Sequence, residues 1–157
     1  MGMNISNREI LPLLIIEENS INIDGEKWFI SRTELARQIK KFQKMHEDLV
    51  LKVISPDKPY LFSIDASIPT SEQLLSDLND LVSRKLIEDR EESLTKRGVI
   101  WYHKFKASPE GKEIIAKMIT SLEERGIREK KLKKVLRQVQ LPPKDHANGL
   151  RELIHVP

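Results

Sequence analysis

The chain has 157 residues, of which 39% are hydrophobic and 32% are charged, and this balance favours one folded domain over residues 1–157 with a single core. No apolar run reaches the roughly 18 residues of a membrane-spanning helix, so no membrane partner is expected. The sequence contains no cysteine, which excludes disulfides and thiolate metal sites and favours a cytoplasmic location.

The net charge of +3 is unevenly distributed along the chain. Residues 1–93 carry 12 Lys or Arg and 17 Asp or Glu, whereas residues 94–157 carry 15 and 7. The first part therefore has a net charge of −5 and the second a net charge of +8. A basic half is the part of the chain that a polyanionic partner would meet.

The first predicted elements are a helix and a hairpin. Residues 4–18 have a helical apolar face, and Ser6 or Asn7 is the expected N-cap. Because proline is tolerated in the first turn of a helix, Pro12 places the start of the helical backbone near Leu11. Asp-Gly then stands between short β-forming runs, which predicts a β-hairpin over residues 21–30.

A second helix is predicted to begin at a capping box, with Ser31 as the N-cap and Glu34 reaching back to it. Its polar side is basic and consists of Arg32, Arg37, Lys40, Lys41 and Lys44. About 25 residues separate this helix from the next one. Within that insertion, residues 49–54 and 60–64 are predicted strands.

The segment from Thr70 to Lys117 contains the most regular pattern of the chain. It predicts a helix over residues 70–85, a strand from Leu86, a charged loop, an aromatic strand over residues 99–106 and another helix after Ser108-Pro109. The helical stripe consists of Leu74, Leu75, Leu78, Leu81 and Val82. The predicted common core consists of Leu78, Leu81, Val82, Ile87, Trp101 and Ile115, with Tyr102 on the exposed side.

This segment resembles winged helix-turn-helix proteins over roughly residues 31–119. The resemblance is carried by the motif L-x-x-L-x-x-x-x-L-I-E from Leu78, by the charged wing that follows, and by the aromatic strand that leads into S-P-E-G-K-E. It implies an α+β fold with a winged-helix core, an extra N-terminal β-hairpin, a strand-containing insertion and C-terminal helices. The chain departs from the family pattern where the insertion replaces the usual short turn between the two helices.

The C-terminal part is predicted to form two amphipathic helices. The first is capped by Gly126, and its apolar stripe consists of Ile114, Ile115, Met118, Ile119 and Leu122. We also predict that this stripe is a homodimer contact, because one domain has limited surface to cover it. The second helix spans residues 128–140, and residues 145–157 are either a final helical turn or a partly ordered tail.

Basic side chains at the wing and in the last helix are the candidate nucleic-acid contacts. They are Arg90, Lys96, Arg97, Lys104, Arg128, Lys130, Lys131, Lys133, Lys134 and Arg137. Lys and Arg bind nucleic acid by releasing the counterions condensed on phosphates. The prediction is therefore a DNA-binding or transcription-regulatory protein that grips duplex DNA with low sequence specificity.

The alternative is a protein–protein interaction module on a winged-helix scaffold. The exposed face of the helix over residues 70–85 carries Glu72 and Asp80 and no basic residue, which suits a basic partner better than phosphate.

No residue pattern predicts catalysis. The histidines lack the spacing of metal ligands, and no glycine-rich phosphate-binding motif occurs in the sequence. We therefore expect neither an enzyme nor a cofactor or metal site.

Overall fold

The computed structural model describes residues 5–54, 59–63, 69–93 and 101–140. In these ranges, helices and strands combine into an α+β fold, as predicted. The elements in chain order are α1 (Asn7–Glu18), β1 (Ile21–Ile23), β2 (Glu26–Ile30), α2 (Arg32–Met45), the short α3 (Glu47–Leu49), a π-helical stretch (Val50–Ile54), α4 (Glu72–Ser83), β3 (Ile87–Ser93), β4 (Trp101–Ala107), α5 (Pro109–Glu124) and α6 (Glu129–Arg137).

The described strands form one antiparallel sheet in the order β1-β2-β4-β3. The predicted hairpin is confirmed: β1 pairs with β2, and Asp24 and Gly25 both adopt positive φ, at 52° and 86°. β2 also pairs with β4, where Phe29 lies opposite Phe105. The N-terminal hairpin is therefore part of the main sheet.

The core lies between the helices and the sheet face that carries Phe29 and Phe105. Leu78, Leu81 and Ile115 are buried there as predicted. Ile87 is also buried as predicted, Val82 is only partly buried against the core, and the placement of Trp101 in the core is wrong because it is exposed.

The predicted burial of two aromatic residues on β4 is wrong. Trp101 is 56% exposed, because it pairs with Ser93 at the end of the hairpin farthest from the buried pair of Ile87 and Ala107. Tyr102 is buried, and its hydroxyl donates a hydrogen bond to Glu92 Oε2 at 2.7 Å. Alternation along a strand shows which residues share a face but not which face is covered.

The predicted start of α1 near Leu11 is also wrong, because the helix begins at Asn7 behind the N-cap Ser6. Ser6 and Glu9 form a complete capping box. Pro12 therefore lies inside the helix and offers no amide hydrogen to the carbonyl of Arg8. The Tyr60 hydroxyl lies 2.9 Å from that carbonyl and 2.6 Å from Asp77 Oδ2, so its single hydrogen is shared between two acceptors and replaces the missing bond only in part.

The insertion after α2 contains helical structure where strands were predicted. Residues 47–54 form α3 and the π-helical stretch, and residues 60–63 lie outside any strand. The backbone of Tyr60 forms its hydrogen bonds with the Gln43 side chain, at 2.8 and 3.0 Å, instead of with a neighbouring strand. Val50 and Ile54, four residues apart, both point into the core.

The later helix boundaries agree with the sequence signals. Ser71 caps α4, Ser108 caps α5 with Pro109 in its first turn, and Gly126 follows α5 at a φ of 116°. α6 ends at Arg137, three residues earlier than the predicted helix. None of the helices in the described ranges has the length and apolar character to cross a membrane.

The apolar stripe of α5 is largely covered by the chain itself. Ile115, Met118 and Leu122 are buried, and Ile114 and Ile119 are partly buried against the same core. The prediction of a homodimer depended on a surplus of exposed apolar surface, so it has no support from these residues. The predicted tail over residues 145–157 lies outside the described residues.

Candidate nucleic-acid interface

The predicted basic contacts do not lie on one surface. Lys96 and Arg97, the predicted contacts at the tip of the wing, lie outside the described residues. Arg90 and Lys104 are paired residues of β3 and β4, whereas the other predicted contacts belong to α6 or immediately precede it.

Lys104 is an interior residue of the sheet face opposite Phe105. It is only 6% exposed, its ammonium donates to Glu92 Oε1 at 2.7 Å, and its Nζ lies 4.4 Å from the centre of the Trp28 ring. Arg90 and Lys106 also lie over that ring, at 5.3 and 4.8 Å. Lys104 is therefore placed to stabilise the sheet, away from the surface where a phosphate would bind.

Carboxylates neutralise the remaining cations on this sheet face. Arg90 and Lys106 lie 3.3 and 3.7 Å from the two oxygens of Glu88. Hydrogen bonds from Lys104 and Tyr102 lower the pKa of Glu92, so that this carboxylate keeps its charge. Mixed charge of this kind makes the face a poor site for a polyanion.

α6 presents the densest basic surface. Leu132, Val135 and Leu136 are buried, which turns the lysines of the helix outward. Lys133 lies 3.3 Å from Glu129 and Arg137 lies 2.7 Å from Glu18, so both are ion-paired.

Three lysines of α6 are free of such pairs. Lys130, Lys131 and Lys134 are exposed and have no ion-pair partner in the part of the chain that the structure describes. Arg128, the N-cap of α6, is also exposed. The predicted contacts on this helix therefore divide into a paired flank and an unpaired flank.

α2 carries a second set of exposed lysines, and one of them, Lys44, lies beside α6. Lys40, Lys41 and Lys44 are exposed and, among the described residues, make no ion pair. Lys44 and Lys131 line a common groove. We define the α2–α6 basic surface as Lys40, Lys41, Lys44, Lys130, Lys131 and Lys134.

The two helices are held together by a buried amide. Asn19, which ends α1, donates from Nδ2 to Gln38 Oε1 on α2 and to the Leu136 carbonyl on α6, both at 2.8 Å. His46 and Gln138 add a side-chain contact of 2.9 Å. The α2–α6 basic surface is therefore built on a fixed junction.

An ion pair orders the polar side of α2 beside this junction. Arg37 binds both oxygens of Glu34, at 2.7 and 2.5 Å, and the buried Gln38 donates to the same carboxylate. The Glu34 carboxylate raises the pKa of Arg37. Arg37 also reaches the carbonyl of Val139 at 3.4 Å, which links α2 to the residues after α6.

Acidic residues limit where a phosphate could lie. Glu47 and Asp48 line the groove between Lys44 and Lys131. A polyanion inside this groove would therefore meet carboxylates as well as the two lysines.

α4 has the exposed face that the sequence predicted. Glu72, Asp80, Ser76 and Asn79 face solvent, and the helix contains no lysine or arginine. Leu75 belongs to the predicted apolar stripe, yet it is 44% exposed beside a shallow groove between α2 and α4. The helix that would read bases in a winged-helix protein therefore offers phosphate no cation.

The described residues contain no group of three His, Asp or Glu side chains arranged to hold a metal ion. Comparisons with models of known protein families, with curated proteins and with solved structures gave no match. Functional inference therefore depends on the residues of this chain.

Proposed function

We propose that the protein binds nucleic acid through the phosphate backbone on the α2–α6 basic surface. The observation that carries this proposal is the set of six exposed lysines, on two joined helices, that have no ion-pair partner among the described residues. Each ammonium that meets a phosphate releases a condensed counterion. Because phosphate contacts carry no base information, the binding should have low sequence specificity.

The order of elements supports a winged-helix interpretation. α4, β3, β4 and α5 follow one another as in the resemblance, with the wing between β3 and β4. A DNA-binding or transcription-regulatory role belongs to this proposal. Because the outer face of α4 is acidic, we propose that the phosphate contacts lie on α2 and α6, with Lys96 and Arg97 of the predicted wing as further proposed contacts.

The test is a salt titration of binding to duplex DNA. Lys130→Gln together with Lys134→Gln should flatten the slope of log affinity against log salt by about 1.8, since each phosphate contact contributes about 0.9. Lys41→Gln with Lys44→Gln should have a similar effect, because these residues belong to the same surface.

A matched control comes from two exposed lysines of α5. Lys112→Gln with Lys117→Gln removes the same charge at another surface and should leave the slope unchanged. Equal losses from the α5 and α6 variants would mean that net charge alone governs binding. No duplex binding in low salt would overturn the proposal.

A second candidate function is a protein–protein interaction module. It is favoured by α4, where the exposed Leu75 lies on a helix whose outer face includes Glu72 and Asp80. An apolar side chain among carboxylates suits a basic partner with an apolar anchor. If duplex binding fails, this function becomes the preferred proposal, and Leu75→Ser is the variant to compare in partner binding.

A further inference from the structure

The junction between α1 and α4 holds more acidic than basic groups. Glu9 of α1 and Asp77 and Asp80 of α4 provide three carboxylates, whereas Arg8 and Arg84 provide two guanidinium groups. If every group is ionised, one negative charge at this junction is left without a partner.

Arg8 forms a bidentate ion pair with Asp77. Its Nε and Nη2 atoms donate to the two oxygens of Asp77 at 2.8 and 3.0 Å, and the Tyr60 hydroxyl adds a bond of 2.6 Å to Oδ2. Tyr60 remains neutral, because burial and the Asp77 carboxylate raise the pKa of its hydroxyl. This half of the junction is therefore satisfied.

A single nitrogen of Arg84 lies near both of the other two carboxylates. Its Nη1 atom lies 3.1 Å from Asp80 Oδ2 and 3.8 Å from Glu9 Oε1. Glu9 is only 4% exposed, and its Oε2 atom is buried with no hydrogen-bond partner among the described residues. A buried acceptor without a partner is costly, and a buried charge without one is more so.

We propose that Glu9 holds a proton that it shares with Asp80, and that losing this proton loosens the contact between α1 and α4. Protonated Glu9 donates from Oε2 to the Asp80 carboxylate, while Oε1 continues to accept the Ser6 amide at 2.9 Å. Arg84 then faces a single net negative charge. The proton comes from solvent and returns to it, so no other reactant is needed.

The electrostatic environment of Glu9 also favours its protonated form. Burial raises the pKa of Glu9 to about 7, and the neighbouring Asp80 carboxylate adds to the effect. The hydrogen bond with Glu9 lowers the pKa of Asp80, so the proton resides on the buried partner.

The sign of the pH effect follows from this raised pKa. Between the ordinary pKa of a glutamate and about 7, the folded protein holds a proton that the unfolded chain has released. The folding equilibrium constant should therefore fall as pH rises through this range, by up to roughly tenfold per pH unit.

The experiment measures the Glu9 proton directly. The side-chain carboxyl carbon of Glu9 in the full chain is followed by NMR against pH, and urea unfolding is measured over the same range. Glu9→Gln mimics the protonated carboxyl, because its amide can donate to Asp80 while its oxygen accepts from Ser6. This variant should lose the pH dependence and exceed the wild type in stability above pH 7.

Two further variants separate the proposal from a general charge effect. Asp80→Asn removes the negative charge that favours the shared proton and leaves only a neutral amide acceptor, so the Glu9 midpoint should fall by one pH unit or more. Glu113→Gln, at an exposed position of α5, should leave the pH dependence unchanged. A Glu9 midpoint below pH 5 in the wild type would overturn the proposal, and so would a Glu9→Gln variant that follows the wild-type pH curve.

Discussion

Lys104 provides a test of whether a basic residue of the β3–β4 hairpin stabilises the fold or binds phosphate. Its ammonium is buried between the Glu92 carboxylate and the Trp28 ring. Glu92 is itself half exposed, so the two partners of this ion pair differ in their access to water. Changing each partner separately should therefore have unequal costs.

Glu92→Gln is expected to be the more damaging change. It leaves the Lys104 ammonium buried with a neutral acceptor, and weakening a charge-assisted bond to a buried group costs about 1–3 kcal/mol. Lys104→Met keeps an apolar stem over Trp28 and lets the Glu92 carboxylate return to water. Its cost should be about 1 kcal/mol, the order of the lost cation–π contact.

Urea unfolding followed by circular dichroism at pH 7 measures both costs. The effect of Glu92→Gln should also shrink in acid, since Glu92 has a lowered pKa and its stabilising charge is lost as pH falls through that value. In the DNA titration, Lys104→Met should leave the salt slope unchanged. A slope reduced by about 0.9, with stability intact, would refute the structural role and place Lys104 at a phosphate.

Two predictions concern packing. Leu78→Ala should cost about 2–5 kcal/mol in urea unfolding, because Leu78 is 3% exposed in the core, whereas Ser76→Ala on the solvent side of α4 should cost less than about 0.5. Gly111→Ala should cost about 1–3 kcal/mol or more, since a Cβ atom there would lie 2.1 Å from the Leu86 carbonyl oxygen. Near-native unfolding midpoints for Leu78→Ala and Gly111→Ala would contradict the packing described for α4 and α5.

Local sequence signals predicted most of the elements, because these signals act within a few residues. The Asp24-Gly25 turn, Ser108 before Pro109 and Gly126 each determine a boundary through their own backbone or side chain. The start of α1 that was predicted from Pro12 is wrong, because the Tyr60 hydroxyl partly compensates for the hydrogen bond that Pro12 cannot donate to Arg8. Tyr60 lies 52 residues from Arg8 in the chain, so no local signal indicates this contact.

The insertion shows a different limit of sequence analysis. Its apolar residues have β-forming side chains, yet residues 47–54 are helical and Tyr60 takes its backbone hydrogen bonds from Gln43. Propensity is a weak preference that tertiary contacts override. The backbone of Tyr60 is held by the amide side chain of Gln43 on α2, and nothing in the local sequence pattern indicates this contact.

The candidate site was only partly predictable for an electrostatic reason. Sequence identifies cations, but their availability depends on carboxylates that are distant in the chain. Arg137 pairs with Glu18 across 119 residues, whereas the pairing of Lys133 with Glu129 follows from helical spacing. The sequence identified the basic polar side of α2, but no sequence signal placed Lys44 beside Lys131 of α6.

Charge summed along the sequence also hides how the surface is assembled. The lysines of α2 belong to the acidic first part of the chain, yet Lys44 shares a groove with Lys131 of the basic second part. Asn19 makes this possible by joining α1, α2 and α6 at one buried amide. The proposed binding of nucleic acid therefore depends on this tertiary junction. Loss of the Asn19 side chain should weaken binding to duplex DNA, because it would separate the lysines of α2 from those of α6 without removing any charge.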